Sequence, residues 1–212
     1  MDSMRKPPVS MTLLDRVREA TKLDTLRFIE GGFEESQAEH LELAIQNIKL
    51  TGPWLEFGVW KGTTARFLLS QLPDDGCLHL FDSFQGLPED WKQGFPKGEF
   101  SLPESERPRF EDARVEVVDG YFEDTLPAWA RSHAEPLALI FVDCDLYSST
   151  KTIFSHLHHL IDSGTVIVFD EYQVPELDGD EMTAFLDYAH ALEVNYTYLA
   201  KAQNGSVSLV IS

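Results

Sequence analysis

The chain has 212 residues, 43% hydrophobic and 25% charged, which suits one globular core and argues against disordered or fibrous classes. Its 17 basic and 36 acidic residues leave a net charge of −19, which repels phosphate backbones and anionic membrane surfaces. No nucleic acid and no membrane is therefore expected as a partner, and small neutral, cationic or metal-chelating ligands stay open. The longest unbroken apolar run, 137–142, falls far short of the ~20 residues of a membrane-spanning helix. No apolar segment follows the basic residues of MDSMRKPPVS, so no secretion signal is expected. Cys77 and Cys144 lie in apolar, strand-like runs and read as free thiols of a protein in a reducing cytoplasm.

Apolar positions at helical spacing predict two N-terminal helices. Leu13, Leu14, Val17, Ala20 and Leu23 form one stripe, Ala38, Leu41, Ile45 and Ile48 another, and Gly31-Gly32 separates them. Residues 1–50 therefore read as a helical cap whose amphipathic faces offer a surface to a second copy of the chain. Residues 51–212 read as the main domain, with no linker to divide it from the cap. Strands are expected at 54–60, 77–81, 115–118, 137–142 and 165–169, alternating with helices at 63–72, 125–132, 148–161 and 179–192. The run LALIFV at 137–142 is apolar without alternation, as in a central parallel strand covered on both faces. Strands at 196–200 and 207–211 flank Asn204-Gly205, a two-residue hairpin signal. This order predicts an α/β doubly wound, Rossmann-like fold with a mostly parallel seven-stranded sheet. It closes in a C-terminal antiparallel hairpin and has helices on both faces and two extra helices in front. The stretch 83–109, rich in Gly, Pro and charge, is too long for an ordinary connection and is expected to be a mobile lid.

In such sheets ligands bind at the carboxyl ends of the strands, where the strand order reverses. The run LEFGVWKGTT lies at that edge. Gly58 lets the backbone approach a ligand, and Gly62 with Thr63 opens a helix N-terminus suited to an anionic group. The spacing E-x-G-x-W-x-G is not the dinucleotide fingerprint. Glu56, ahead of the first glycine, suits a ligand presenting an ammonium, as S-adenosylmethionine does. Asp82 ends the next strand, roughly 20 residues after Gly62, where an acid binds ribose hydroxyls; otherwise it caps the segment that follows. Ser83 and Phe84 stand within reach of an adenine. Asp119-Gly120 stands near its other edge, with Tyr121 and Phe122 either beside the ring or in the core.

A second group is acidic. Asp143 lies in FVDCDLYSST and Asp170-Glu171 in VIVFDEY, each at the end of a central strand. Three carboxylates gathered there repel one another unless a cation neutralises them, and all-oxygen donors favour magnesium, calcium or manganese. The alternative is that Asp143 caps the next helix and Glu171 faces solvent, with Asp145 the stronger candidate for capping or support. His156, His158 and His159 share a helix without a Cys or His partner at ligand spacing and read as surface or packing residues. Neither cysteine has a histidine base nearby, and neither a G-x-S-x-G elbow nor a P-loop is present.

The runs LEFGVWKGTT, LFDSFQGLPEDW, DGYFEDTLP, FVDCDLYSST and GTVIVFDEY occur in one order between about residues 50 and 175. Together they resemble the macrocin O-methyltransferase (TylF-like) family of class I methyltransferases. Those enzymes methylate sugar hydroxyls and similar groups of secondary metabolites, using S-adenosylmethionine and magnesium. The resemblance implies cofactor contacts at Glu56, Gly58, Asp82 and the Asp119-Gly120 turn, with Gly62, Thr63, Ser83 and Asp143 at the same edge. It implies metal ligands at Asp143, Asp170 and Glu171, the last standing where the family has an aspartate. Asp143 is then the residue most directly tied to catalysis, in an in-line methyl transfer to a metal-held hydroxyl of a small-molecule acceptor. Related catechol-type enzymes place a lysine three positions after the first metal aspartate. Here that position is Leu146, so the base is unassigned among Tyr147, Asp145, His133 and Lys92. About 50 residues ahead of the core leave little material for the substrate lid the family builds there. The rival readings are a metal-independent or N-methylating enzyme of the same fold, a nicotinamide-dependent oxidoreductase, and a non-catalytic binding module. Glycine spacing and the terminal hairpin speak against the oxidoreductase, and Glu171 leaves room for the binding module.

Overall fold

The protein, seen in a computed structural model, is described for residues 13–172 and 180–212. Its strands are Arg27–Ile29 (β1), Trp54–Phe57 (β2), Leu78–Asp82 (β3), Val115–Asp119 (β4), Leu139–Val142 (β5), Val166–Phe169 (β6), Tyr196–Ala202 (β7) and Val207–Ile211 (β8). Its α-helices are Leu13–Asp24 (α1), Phe33–Gln46 (α2), Thr63–Gln71 (α3), Phe122–Ser132 (α4), Tyr147–Leu157 (α5) and Asp180–Ala191 (α6). The strands form one sheet in the order β1-β7-β8-β6-β5-β2-β3-β4. All neighbours are parallel except β8, which runs against both β6 and β7.

Burial explains the order. Every residue of β2, β5 and β6 is buried, as continuous apolar runs require when helices cover both faces. Along β5 the side chains alternate between two cores. Ile140 and Val142 join Leu126, Ile153 and Phe185 of α4, α5 and α6, while Leu139 and Phe141 join Leu41, Ala65 and Leu68 of α2 and α3. Each such side chain contributes ~1.5–3 kcal/mol by leaving water, so the central strands fix where the loops at their carboxyl ends emerge. No helix among the described residues is long and apolar enough to cross a membrane. Cys144 is buried and Cys77 half-buried, and both are free thiols.

The expected seven strands become eight. The added strand, β1, pairs with β7 in parallel, Ile29 opposite Ala202. Only Ile29 of its three residues is buried, so no period-2 pattern announces it. Residues ahead of the main domain thus contribute to the sheet, and α2 lies against β6 and β7 with Leu41 and Ala44 buried. The hairpin also differs from expectation, because residues 203–206 join β7 to β8. Asn204 is drawn into this longer turn, where its Oδ1 accepts the Ser206 amide. The strand expected at 54–60 ends at Phe57, since Gly58 adopts φ +87 and turns the chain. The expected start of the last helix, Gly179, lies outside the described residues, where α6 is seen from Asp180.

The stretch 83–109 carries a single 3-10 turn, Glu104–Glu106, yet it is internally tied. Leu87 N donates to Glu99 O, Gly98 N to Leu87 O and Leu102 N to Phe84 O. Trp91 Nε1 donates to Asp180 Oδ2 at 2.8 Å, which fastens the stretch to the start of α6.

Candidate functional site

The loops leaving β2, β3, β4, β5 and β6 and the stretch after β3 surround a cavity of about 560 Å³. It sits where the strand order reverses between β2 and β5, the place a parallel sheet reserves for ligands.

On the β2–β3 side the chain turns sharply so that two loops meet. A Cβ on Gly58 would lie 1.7 Å from the Asp143 carbonyl oxygen, so only glycine allows this approach. The next turn is held by Asp82, whose Oδ2 accepts the amides of Val59 and Trp60 at 2.8 Å each and whose Oδ1 accepts that of Phe84 at 2.7 Å. Asp82 thus caps the segment that follows it, one of the two alternatives weighed for it, and it also lines the cavity. A carboxylate has about four acceptor positions, so three amides leave room for a further donor. Ser83 lines the cavity beside it, as do Tyr121, Phe122 and Glu123 after β4.

Glu56 lies beneath this floor, 1% exposed, and its Oε2 has no hydrogen-bond partner. Burial, and next the Asp82 charge, push its carboxyl well above the usual range. A buried acceptor without a donor is costly, and Glu56 does not itself line the cavity. The other residues expected at the cofactor edge are placed differently. Gly62 (φ +75) and Thr63 open α3, but they do not line the cavity, and Pro108 and Phe110 press on Gly62 from above. Asp119 turns to Arg107, 2.7 Å away, and neither it nor Gly120 lines the cavity.

On the β5–β6 side the groups are acidic and crowded. Asp143, Asp145, Asp170 and Glu171 all line the cavity. Asp143 is pushed well above the usual carboxylate range by burial, then by the charges of Asp170, Glu181, Asp145 and Glu56. Asp170 is raised by burial and by Glu171, against a hydrogen bond from Gln37. Asp145, in the left-handed region at φ +62, is pushed up to about 7 by burial and then by Glu171. Beneath them Glu181, 1% exposed, accepts the amides of Cys144 at 3.1 Å and Glu171 at 3.3 Å. Glu171 itself stands 3.8 Å from Lys92, an exposed pairing that contributes little.

The alternative capping role, for Asp143 or Asp145, is absent, because Leu146 is the N-cap of α5 and no side chain caps it. Nor do the acids converge as expected. Among the described residues no three His, Cys, Asp or Glu side chains come together closely enough to hold a metal ion. Asp143 and Asp170 interact, whereas Glu171 leans toward Lys92. His156, His158 and His159 take no part in the cavity.

Several site residues carried no signal of their own in the sequence. Trp60 (φ +47) and Phe100 (φ +66) stand at the rim, their rings 6.3 Å apart edge to face. With Asp145 they make three of the five positive-φ non-glycine residues among those described. Such strain, of order 1–3 kcal/mol each, gathers where a site is shaped. Gly86, Leu87 and Glu89 of the stretch 83–109 line the cavity, within the run LFDSFQGLPEDW already singled out.

A family model described as Macrocin-O-methyltransferase (TylF) matches residues 32–197. The 8-demethyl-8-(2,3-dimethoxy-alpha-L-rhamnosyl)-tetracenomycin-C 4'-O-methyltransferase of Streptomyces olivaceus is 29% identical over 143 residues, 58% of this chain and 54% of that protein. The demethyldecarbamoylnovobiocin O-methyltransferase of Streptomyces niveus is 27% identical over 180 residues, 73% of this chain and 68% of that one. The chain thus spans a little over half the length of the first relative and about two thirds of the second. Among solved structures, the calicheamicin methyltransferase CalS11 superposes with a TM-score of 0.68 at 20% identity, over 99% of both chains. The O-methyltransferase NovP does so with a TM-score of 0.67 at 22% identity, over 82% of this chain and 79% of its own. At these identities the two structures speak for the fold.

Proposed function

The chain belongs to the macrocin O-methyltransferase (TylF) family, and from that premise we propose that it transfers a methyl group from S-adenosylmethionine to a hydroxyl of a small molecule, such as a sugar of a secondary metabolite. The observation that carries this reading is one cavity with a donor side at Asp82 and an acidic acceptor side at Asp143, Asp145 and Asp170. The Streptomyces olivaceus relative is a 4'-O-methyltransferase of a rhamnosyl-bearing tetracenomycin, which makes a sugar hydroxyl the first acceptor to try.

The donor lies along β2 and β3, with Asp82 and Ser83 toward its ribose and adenine. The buried carboxyl of Glu56, held toward its neutral form by burial and set behind the cavity wall, would ionise on pairing with the ammonium end. The acceptor lies toward β5 and β6. Among the described residues, those lining the cavity include seven carboxylates and no lysine or arginine, so a neutral or amine-bearing acceptor suits it better than one carrying a phosphate or carboxylate. The acceptor oxygen attacks the methyl carbon in line, the sulfonium leaves as a thioether, and the hydroxyl proton passes to a base. Asp145 fits that role by position: it lines the cavity on a strained loop beside Asp143 and is half-buried.

Magnesium is part of this reading. The donor chemistry of Asp143 and Asp170 fits a hard divalent cation, because their mutual repulsion is relieved by one and both offer oxygen. Glu171 reaches such an ion only by leaving Lys92. When bound, the ion lowers the pKa of the acceptor hydroxyl and holds it in place.

The deciding experiment is a calorimetric titration with S-adenosylmethionine, NAD and magnesium, followed by transfer assays on glycosides with and without EDTA. Binding of S-adenosylmethionine and EDTA-sensitive methyl transfer support the reading. Binding of NAD alone overturns it, and full transfer after exhaustive chelation removes the metal from it.

A further inference from the structure

Asp170 is 9% exposed and lines the cavity, so whatever fixes its carboxylate fixes the acceptor side. Two amides meet on one of its oxygens. Gln37 Nε2, from α2, donates to Oδ1 at 2.8 Å, and Asn204 Nδ2, from the β7–β8 turn, donates to the same atom at 3.4 Å. Asn204 is held in its turn, because its Oδ1 accepts from the Ser206 amide at 3.3 Å and from Ser206 Oγ at 2.8 Å. Ser206 Oγ lies 2.7 Å from His40 Nδ1, and His40 Nε2 lies 2.9 Å from Ser208 Oγ. Since Ser206 gives its only hydroxyl hydrogen to Asn204, the network assigns a neutral His40 with its hydrogen on Nδ1, accepting from Ser208 at Nε2. His40, Ser206 and Ser208 are almost wholly buried, so the far end of this chain of bonds does not move freely. Gln37 and His40 are three residues apart on α2 and therefore share one face, which grips Asp170 directly and through the turn.

We propose that Gln37 and Asn204 are positioning residues of the methyl-transfer site, which hold Oδ1 of Asp170 so that Oδ2 is the oxygen offered to a divalent cation. The proposal rests on the reading of Asp170 as a metal ligand. Two donors on one oxygen oppose rotation of the carboxylate, since turning it breaks both bonds. Both donors are neutral. A lysine or arginine in their place would orient Asp170 equally well but would cancel the charge that attracts the cation, whereas an amide orients without neutralising. The segment ahead of the main domain is on this account part of the site rather than a detachable cap.

Manganese, read by the electron paramagnetic resonance signal of the free ion, tests this in the full-length chain. Gln37→Ala and Asn204→Ala should bind it 10–100-fold more weakly, with affinity for S-adenosylmethionine and the thermal midpoint little changed. Gln46→Ala, on the exposed end of the same helix, should match the wild type. Gln37→Lys tests the need for a neutral donor: an ion pair with Asp170 should preserve or raise the thermal midpoint while manganese affinity is lost, and full manganese affinity in this folded variant overturns the reading of Asp170 as a ligand. Manganese affinity equal to wild type in Gln37→Ala and Asn204→Ala overturns the positioning role. Should Gln37→Ala fail to fold, Asn204→Ala decides. A wild-type chain that binds no manganese overturns the metal reading itself, so the two failures are told apart.

Discussion

Asp82 on one side of the cavity and the acids on the other are satisfied in opposite ways. Beside β2 and β3, Asp82 accepts three backbone amides, so its charge is matched by hydrogen-bond donors and the loop is organised around it. Beside β5 and β6, Asp143, Asp145 and Asp170 face one another, Glu171 and Glu181, and each is raised by burial and by neighbouring charge. One side is a keystone of the fold. The other is a conflict left by folding, of the kind kept where a site needs charge more than the fold needs stability.

Joining the sides is the most sensitive contact. Gly58→Ala forces a Cβ to within 1.7 Å of the Asp143 carbonyl at φ +87, so the variant should lose more than about 4 kcal/mol, measured by denaturant unfolding. A stable variant would mean that the two loops separate freely. On the acidic side, Asp145→Asn should lower turnover by ~10²–10⁴-fold with donor affinity intact. Unchanged turnover assigns the base elsewhere.

Behind the acidic side His40 is wholly buried, and burial holds it at about 4 against an ordinary value of 6.5. The unfolded chain takes up the proton first as pH falls, so the stability this group supports is complete above 6.5 and is lost between 6.5 and about 4. The raised acids change stability in the opposite sense. The test is therefore a difference: wild type should lose up to about 3 kcal/mol more than His40→Gln across that window, and parallel pH profiles would refute the linkage.

Smaller effects set the two sides against each other directly. Asp82→Ala removes the acceptor of three amides and should destabilise by ~1–3 kcal/mol as well as weaken S-adenosylmethionine binding. Asp143→Asn removes a charge that burial and its neighbours disfavour. It should raise the thermal midpoint by roughly 2–4 °C for each kcal/mol relieved, while methyl transfer is lost. The gain should fade as pH falls, because the wild-type carboxyl then protonates. If both variants shift the midpoint the same way, the contrast between keystone and conflict fails.

Much of this architecture was legible in the residues. The apolar runs at 137–142 and 165–169 could be buried only as central strands, and alternation with helices implied a parallel sheet with its ligand edge at Glu56, Asp82, Asp143 and Asp170. These features are local: periodicity and chain direction place a residue at the end of a strand whatever surrounds it. The tertiary structure alone decided which of those residues meet. Gly62, Thr63, Asp119 and Gly120 stand at the right edge yet do not line the cavity: Pro108 and Phe110 lie close to Gly62, and Asp119 pairs with Arg107. β1 is too short to leave a pattern, and it is a strand only because β7 offers it an edge. Gln37 and Asn204 lie 133 and 34 residues from Asp170 and are ordinary polar residues in the sequence. Their convergence on one carboxylate oxygen depends on how α2 and the terminal turn fold onto the sheet, a relation between distant segments that no local spacing encodes.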